Sequence, residues 1–156
     1  MITDLLAREL ILEDLRAATP AEVLEKLAEH AAANVDGVDG AELLRTLSLR
    51  EAQASTALGD GVAIPHARIR GLQRMIVVFA RSKAGVDWNA SDKRPVHLAL
   101  MLAGPAEDPG MYLKTLAAIS RLMRDAQCRA RLMSAETADD LLRVLRDEAA
   151  KAAASV

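Results

Sequence analysis

The amino-acid sequence predicts an α/β fold in a single compact domain, and three observations carry that prediction. Residues 75–80 and 96–103 are short, nearly continuous apolar runs rich in β-formers. Runs of that kind read as strands buried on both faces. Segments with apolar residues at helical spacing lie on both sides of them. The length of 156 residues suits one hydrophobic core. Helices alternating with buried strands imply a sheet of roughly three to five strands covered by helices. The domain is placed at residues 1–150, with an Ala-rich, frayed tail at 151–156.

Each element has its own signal. Residues 2–15 are apolar with scattered charges and fit a short helix followed by an edge strand. At Thr19-Pro20-Ala21-Glu22 a helix starts: Thr19 caps it, Pro20 suits the first position and Glu22 completes a capping box. Val23, Leu24, Leu27, Ala28 and Ala31 form its apolar face. The loop at 34–40 is rich in Gly, Asp and Asn. Asp39 caps a second helix that turns Leu43, Leu44 and Leu47 inward and ends near Ala54. A glycine-bearing turn at 57–61 precedes a short strand at 62–64. Residues 82–95 are polar and turn-rich, with Trp88 as their one large apolar side chain. It is assigned either to the sheet edge or to a partner surface. Asp108-Pro109 starts a long helix to about Met123, with Leu113, Leu116, Ala117, Ser120 and Met123 expected inside. A short helix at 127–133 follows. Thr137 caps a last helix with Leu141, Leu142 and Leu145 buried, and Asp139-Asp140 form its charged first turn.

Composition excludes several function classes. Hydrophobic residues make up 51% of the chain but aromatics only 2%, so the core is aliphatic and offers no stacking platform for single-stranded nucleic acid. With 20 basic and 22 acidic residues, the net charge of -2 gives neither a basic field for nucleic acid nor a polybasic membrane patch. Cys128 is the only cysteine, which rules out a disulfide within the chain and argues against a Cys-based zinc site. That usage fits a reducing cytoplasm. Asp4, Arg8 and Glu9 are incompatible with a signal peptide. The apolar runs are too short to cross a bilayer. The expectation is a cytoplasmic protein that is not embedded in a membrane.

The chemistry concentrates in residues 50–68, REAQASTALGDGVAIPHAR. Here a Val-Ala-Ile strand runs into Pro65 and then His66. Pro65 fixes its own backbone and biases Ile64 toward an extended shape. His66 is thereby presented rigidly at a strand end, where α/β sheets commonly place ligand crevices. Gly59 and Gly61 allow a sharp turn that leaves backbone N–H groups accessible to an anion. Ser55 and Thr56 add hydroxyls, and Arg50, Arg68 and Arg70 add fixed positive charge. A neutral imidazole is a competent nucleophile near neutral pH. Phosphoryl transfer asks mainly for positioning and for donors around the equatorial oxygens. Against this stands the ordinary case, a surface histidine after a proline in a turn.

The motif decides between them. The stretch resembles the phosphohistidine signature of the fructose/mannitol-type (type 2) enzyme IIA domains of the bacterial sugar phosphotransferase system, nitrogen-regulatory members included. The signature positions are filled by Glu51, Leu58, Gly59, Val62, Ala63, Ile64, Pro65, His66 and Ala67. Looser resemblance extends from the Thr19 helix to the last helix. The resemblance implies a mixed β-sheet flanked by helices, His66 as phosphoryl acceptor, and a histidine phosphocarrier protein as donor. Arg50, Ser55 and Thr56 would surround the phosphoryl group, and no cofactor or metal is needed. A regulatory protein target or a IIB component would be the next partner. The absence of a fused IIB or membrane domain favours the nitrogen-regulatory branch.

One position departs from the family. A second histidine usually sits just inside the helix that here begins near Pro109, and Tyr112 stands in its place. Tyr112 donates a neutral hydrogen bond but cannot become cationic at neutral pH. Lys114, two positions on, points to another side of the helix. Two readings therefore stay open: a phosphoryl carrier, or a IIA-like binding module that lost efficient phosphorylation. An unrelated small enzyme using His66 as general base is a third. His97 is read as structural, His30 as lying on a polar helix face, and Cys128 as a packed residue.

Overall fold

The chain builds one six-stranded mixed sheet with helices on both faces. In this computed structural model, residues 1–155 are described. Two 3-10 turns, Ile2–Leu5 and Arg8–Leu10, lead into edge strand β1 (Ile11–Leu12). Helix α1 (Pro20–Asn34) starts at Thr19, whose hydroxyl accepts the Glu22 N–H at 3.2 Å. Glu22 reaches back to the Ala18 N–H, one residue earlier than a standard capping box. Helix α2 (Gly40–Gln53) is capped by Asp39, which accepts from Ala41 and Glu42. Strands β2 (Ala57–Gly59), β3 (Val62–Ala63) and β4 (His66–Ile69) follow in quick succession. The long strands β5 (Ile76–Val86) and β6 (Val96–Pro105) come next, then α3 (Pro109–Arg124), α4 (Ala126–Ser134) and α5 (Ala138–Ala154). Helical geometry thus continues through most of the tail expected to fray.

The antiparallel β5/β6 pair is the centre of the sheet. β1 pairs in parallel with the outer edge of β5. β3 and β4 lie in succession along the other edge of β6, both parallel to it, and β2 folds back on β3.

Alternation along the strands then divides the core. Val62, Ile64, Val77, Phe79, Leu98, Leu100 and Leu102 face α3, α4 and α5. Ala63, Ala67, Val78, Ala80, Ala99, Met101 and Ala103 face α1 and α2. The second face is mostly small side chains, so two helices can pack closely on it.

One side chain crosses this plan. Arg81 is fully buried. Its guanidinium donates to the carbonyls of Glu13, Leu132 (2.8 Å) and Ala135. It satisfies carbonyls at the C-terminal end of α4, where a cation is favoured.

The structure corrects several local expectations. The polar 82–95 segment is strand up to Val86. β4, hidden among charged residues, is a strand because it completes the edge of β6. The inward face of α3 is Tyr112, Thr115, Ile119, Leu122 and Met123. Leu113 is 62% exposed, and Ala117 is exposed too, rather than inside. Hydrophobicity alone misplaced this face, because α3 buries a tyrosine and a threonine and turns Met111 and Leu113 outward. The Thr115 hydroxyl is satisfied by the Met111 carbonyl at 2.8 Å. Among the described residues no helix is long and apolar enough to cross a membrane.

The corrected register has a direct check. Ile119→Ala should cost about 2–5 kcal/mol of stability through the cavity it leaves. Leu113→Ala should stay within about 0.5 kcal/mol. Urea unfolding followed by circular dichroism measures both, and equal losses would contradict the register.

Candidate functional site

His66 owes its position to a pause in a ladder. β3 and β4 keep one register along β6, with Ala63 opposite Ala99 and His66 opposite Leu102. Between them, Pro65 accepts from the Leu102 N–H at 3.0 Å but has no N–H to return. Ile64 sends its own N–H to the Thr56 carbonyl at 3.0 Å. The Ile64 carbonyl receives the imidazole of His66, Nδ1 to oxygen at 2.7 Å. A carbonyl only accepts, so Nδ1 carries the proton and Nε2 keeps its lone pair.

Electrostatics favour that neutral ring. Burial is the main force holding the His66 pKa below the ordinary value of 6.5, and the Arg50 charge adds to it. The hydrogen bond to Ile64 and the Glu51 carboxylate act the other way without reversing the result. The site therefore presents an uncharged nucleophilic nitrogen at neutral pH.

The end of α2 supplies a clamp beside it. Arg50 donates to the Ala54 carbonyl at 2.7 Å. Glu51 accepts from the Thr56 N–H at 2.5 Å, the Thr56 hydroxyl at 2.7 Å and the Trp88 indole N–H at 3.1 Å. Two consecutive residues thus pin the segment from Ala54 to Thr56. Ser55 stays exposed, and its oxygen accepts the Ala57 N–H, which leaves the hydroxyl hydrogen to donate elsewhere. Thr56 is buried, with its hydroxyl committed to Glu51. Trp88 is buried as well, and so belongs to this clamp and not to an outer surface.

Tyr112 completes the floor. Its ring centroid lies 6.3 Å from that of His66, at an interplanar angle of 51°. Burial pushes the phenol up to about 12, so it remains protonated and neutral. Lys114 is exposed on another side of α3. Gly104 makes room for the tyrosine: a methyl there would stand 2.8 Å from the Tyr112 ring and 2.5 Å from the Met75 sulfur.

Some expected residues lie elsewhere. Gly59 and Gly61 both take positive φ, as a tight turn requires. That turn packs near Pro95 and His97 at the start of β6, while His66 sits opposite Leu102. The Asp60 N–H within it is spent on Asp92 at 2.8 Å. The turn shapes the hairpin and does not cradle an anion beside His66. His97 bonds the Ser82 carbonyl at 2.8 Å, as a structural residue does. His30, expected on a polar face, is half-buried against the Glu9 carbonyl at 2.6 Å. Burial raises the Cys128 thiol to about 12, which suits an inert packed residue. Among the described residues no three His, Cys, Asp or Glu side chains are grouped to hold a metal. Sequence reasoning missed the roles of Ile64, Trp88 and Gly104. The Ile64 carbonyl leaves no side-chain signal, and the Trp88–Glu51 bond spans 37 positions.

The chain and its fold are similar to known proteins. Residues 4–148 match the family described as "Phosphoenolpyruvate-dependent sugar phosphotransferase system, EIIA 2". A nitrogen regulatory protein of Bradyrhizobium diazoefficiens is 36% identical over 144 residues, 92% of this chain and 94% of that one. A fructose-specific EIIA component of Haloferax volcanii is also 36% identical, over 141 residues, 89% of this chain and 90% of that one. The crystal structure of the nitrogen regulatory protein IIA-Ntr of Neisseria meningitidis superposes with a TM-score of 0.85 at 27% identity, covering 92% of this chain and 98% of that one.

Nitrogen-15 spectra of the imidazole test the protonation state. In the native protein His66 should be neutral with its proton on Nδ1, and should charge only as pH falls below 6.5. Arg50→Gln removes a cation that opposes that charging, so the titration should move to higher pH. A native midpoint at or above 6.5, or a downward shift in the variant, would contradict the site's electrostatics.

Proposed function

We propose a function from one premise: the chain belongs to the type-2 enzyme IIA family of the phosphoenolpyruvate-dependent sugar phosphotransferase system. His66 accepts a phosphoryl group from a histidine phosphocarrier protein in the cytoplasm and holds it as phosphohistidine. The observation that carries this reading is the Nδ1 hydrogen bond to the Ile64 carbonyl, which leaves Nε2 as the free nitrogen.

The transfer follows from that geometry. The Nε2 lone pair forms the new N–P bond as the carrier's N–P bond breaks. The carrier's imidazole leaves with that electron pair and takes up a proton from water. On this chain Nδ1–H stays on Ile64, so the ring becomes cationic beside a phosphoryl dianion. Arg50 and the Ser55 hydroxyl offer donors to its oxygens, and Tyr112 lines the site. Glu51 and Thr56 hold the segment that carries Ser55. Pro65 and the Gly59–Gly61 hairpin keep the strand break in shape.

We assign the chain to the nitrogen-regulatory branch, in which the phosphoryl group switches binding to target proteins. The support is the full-length likeness to nitrogen regulatory proteins, in sequence and in structure. Transport is the nearest competitor, with a IIB component as acceptor, since the fructose-specific relative is equally similar. A binding module without phosphorylation is the alternative that the neutral Tyr112 favours.

Incubation with phosphoenolpyruvate, the first enzyme of the system and the carrier, followed by intact mass, tests the reading. One acid-labile phosphoryl group should appear, and His66→Ala should abolish it. No gain with active upstream proteins would leave the binding module. Transfer of the label onward to a IIB component, with no phosphorylation-dependent binding of a protein target, would overturn the regulatory assignment alone.

A further inference from the structure

A second cation stands at this site, and Tyr112 holds it. His66 and Arg68 are two apart on β4, so their side chains emerge on the same face of the sheet. Their backbones are about 7 Å apart along the strand. The Arg68 guanidinium carbon lies 6.0 Å from the Tyr112 ring centroid, within cation–π range. The same ring is 6.3 Å from His66. Tyr112 comes this close because Gly104, the partner of Arg68 across the sheet, has no side chain on that face.

Arg68 is exposed, and among the described residues no carboxylate pairs with it. Its charge acts on the phenol of Tyr112, as that of Arg50 does. The neighbouring Arg70 lies elsewhere, lining a shallow cavity with Asp39, Glu42 and Leu43.

We propose that Arg68 is a phosphoryl-binding residue of this site and that the Tyr112 ring is the platform that aims it. This rests on the reading of His66 as a phosphoryl acceptor. When His66 carries the group, the guanidinium moves off the ring to donate to one or two of its oxygens. The tyrosine contributes a surface and not a charge, and the arginine contributes the charge.

The charges that act on His66 itself are those of Arg50 and Glu51 from α2, while Arg68 stands over the neutral Tyr112.

The test is single-turnover phosphoryl uptake from the phosphorylated carrier, at several carrier concentrations, with the half-life of the product. Arg68→Gln should slow the saturated rate or shorten the half-life roughly 10-fold or more, the effect of one charge-assisted bond. Arg70→Gln removes an equal charge two residues away and should change either quantity less than about 2-fold. Tyr112→Phe keeps the ring, so any loss should be smaller than that of Tyr112→Leu. Tyr112→Leu removes the ring and should resemble Arg68→Gln, and combining the two should add little further. A native protein that takes up no label on His66 overturns the phosphoryl reading and this inference with it. A labelled native protein with Arg68→Gln indistinguishable from Arg70→Gln overturns the inference alone. So does a change confined to the carrier concentration needed for saturation, which would make Arg68 a docking residue. A Tyr112→Phe variant as slow as Arg68→Gln would overturn the platform role.

Discussion

The hydrogen bond between His66 Nδ1 and the Ile64 carbonyl is the interaction on which this site depends. Pro65 stops the ladder for one step without shifting its register. Ile64 has its N–H on Thr56 and its carbonyl on His66. The Ile64 backbone points away from β6 whatever residue stands at position 65, and its carbonyl fixes the tautomer. The free Nε2 is thus set by a backbone carbonyl, while the Ile64 side chain is buried in the core.

A second economy lies at the end of α2. Arg50 and Glu51 are adjacent and reach forward to the same short segment, one by a guanidinium and one by a carboxylate. They carry opposite charges and act on His66 with opposite signs. The imidazole therefore responds to burial first, to the Ile64 hydrogen bond second and to the difference of these charges last. Glu51 is stabilised in this role by three donors, which suits an ionised carboxylate in a partly buried place.

Much of this was legible in the sequence because it rests on local signals. The Thr19, Asp39, Asp108 and Thr137 caps each need only a few neighbours, and each stands where the residues place it. The signature around His66 is contiguous as well. What could not be read depends on tertiary partners. β4 is a strand only because β6 offers it an edge. The α3 face follows from the site it must cover, so Tyr112 goes in and Leu113 stays out. Arg81 would pass for an exposed charge after an apolar run. Three carbonyls from two distant segments make its burial tolerable. The Gly59–Gly61 turn shows the converse error, since a glycine pair that can bind anions was simply a hairpin.

Trp88 has a consequence of a different kind. It is the only tryptophan in a chain with one tyrosine and one phenylalanine. Its indole N–H bonds the carboxylate that also pins Thr56. Light absorbed at the red edge therefore excites one chromophore in one environment, hydrogen-bonded to the machinery beside His66. The protein carries its own optical gauge of that clamp, legible without a dye and without labelling the histidine itself.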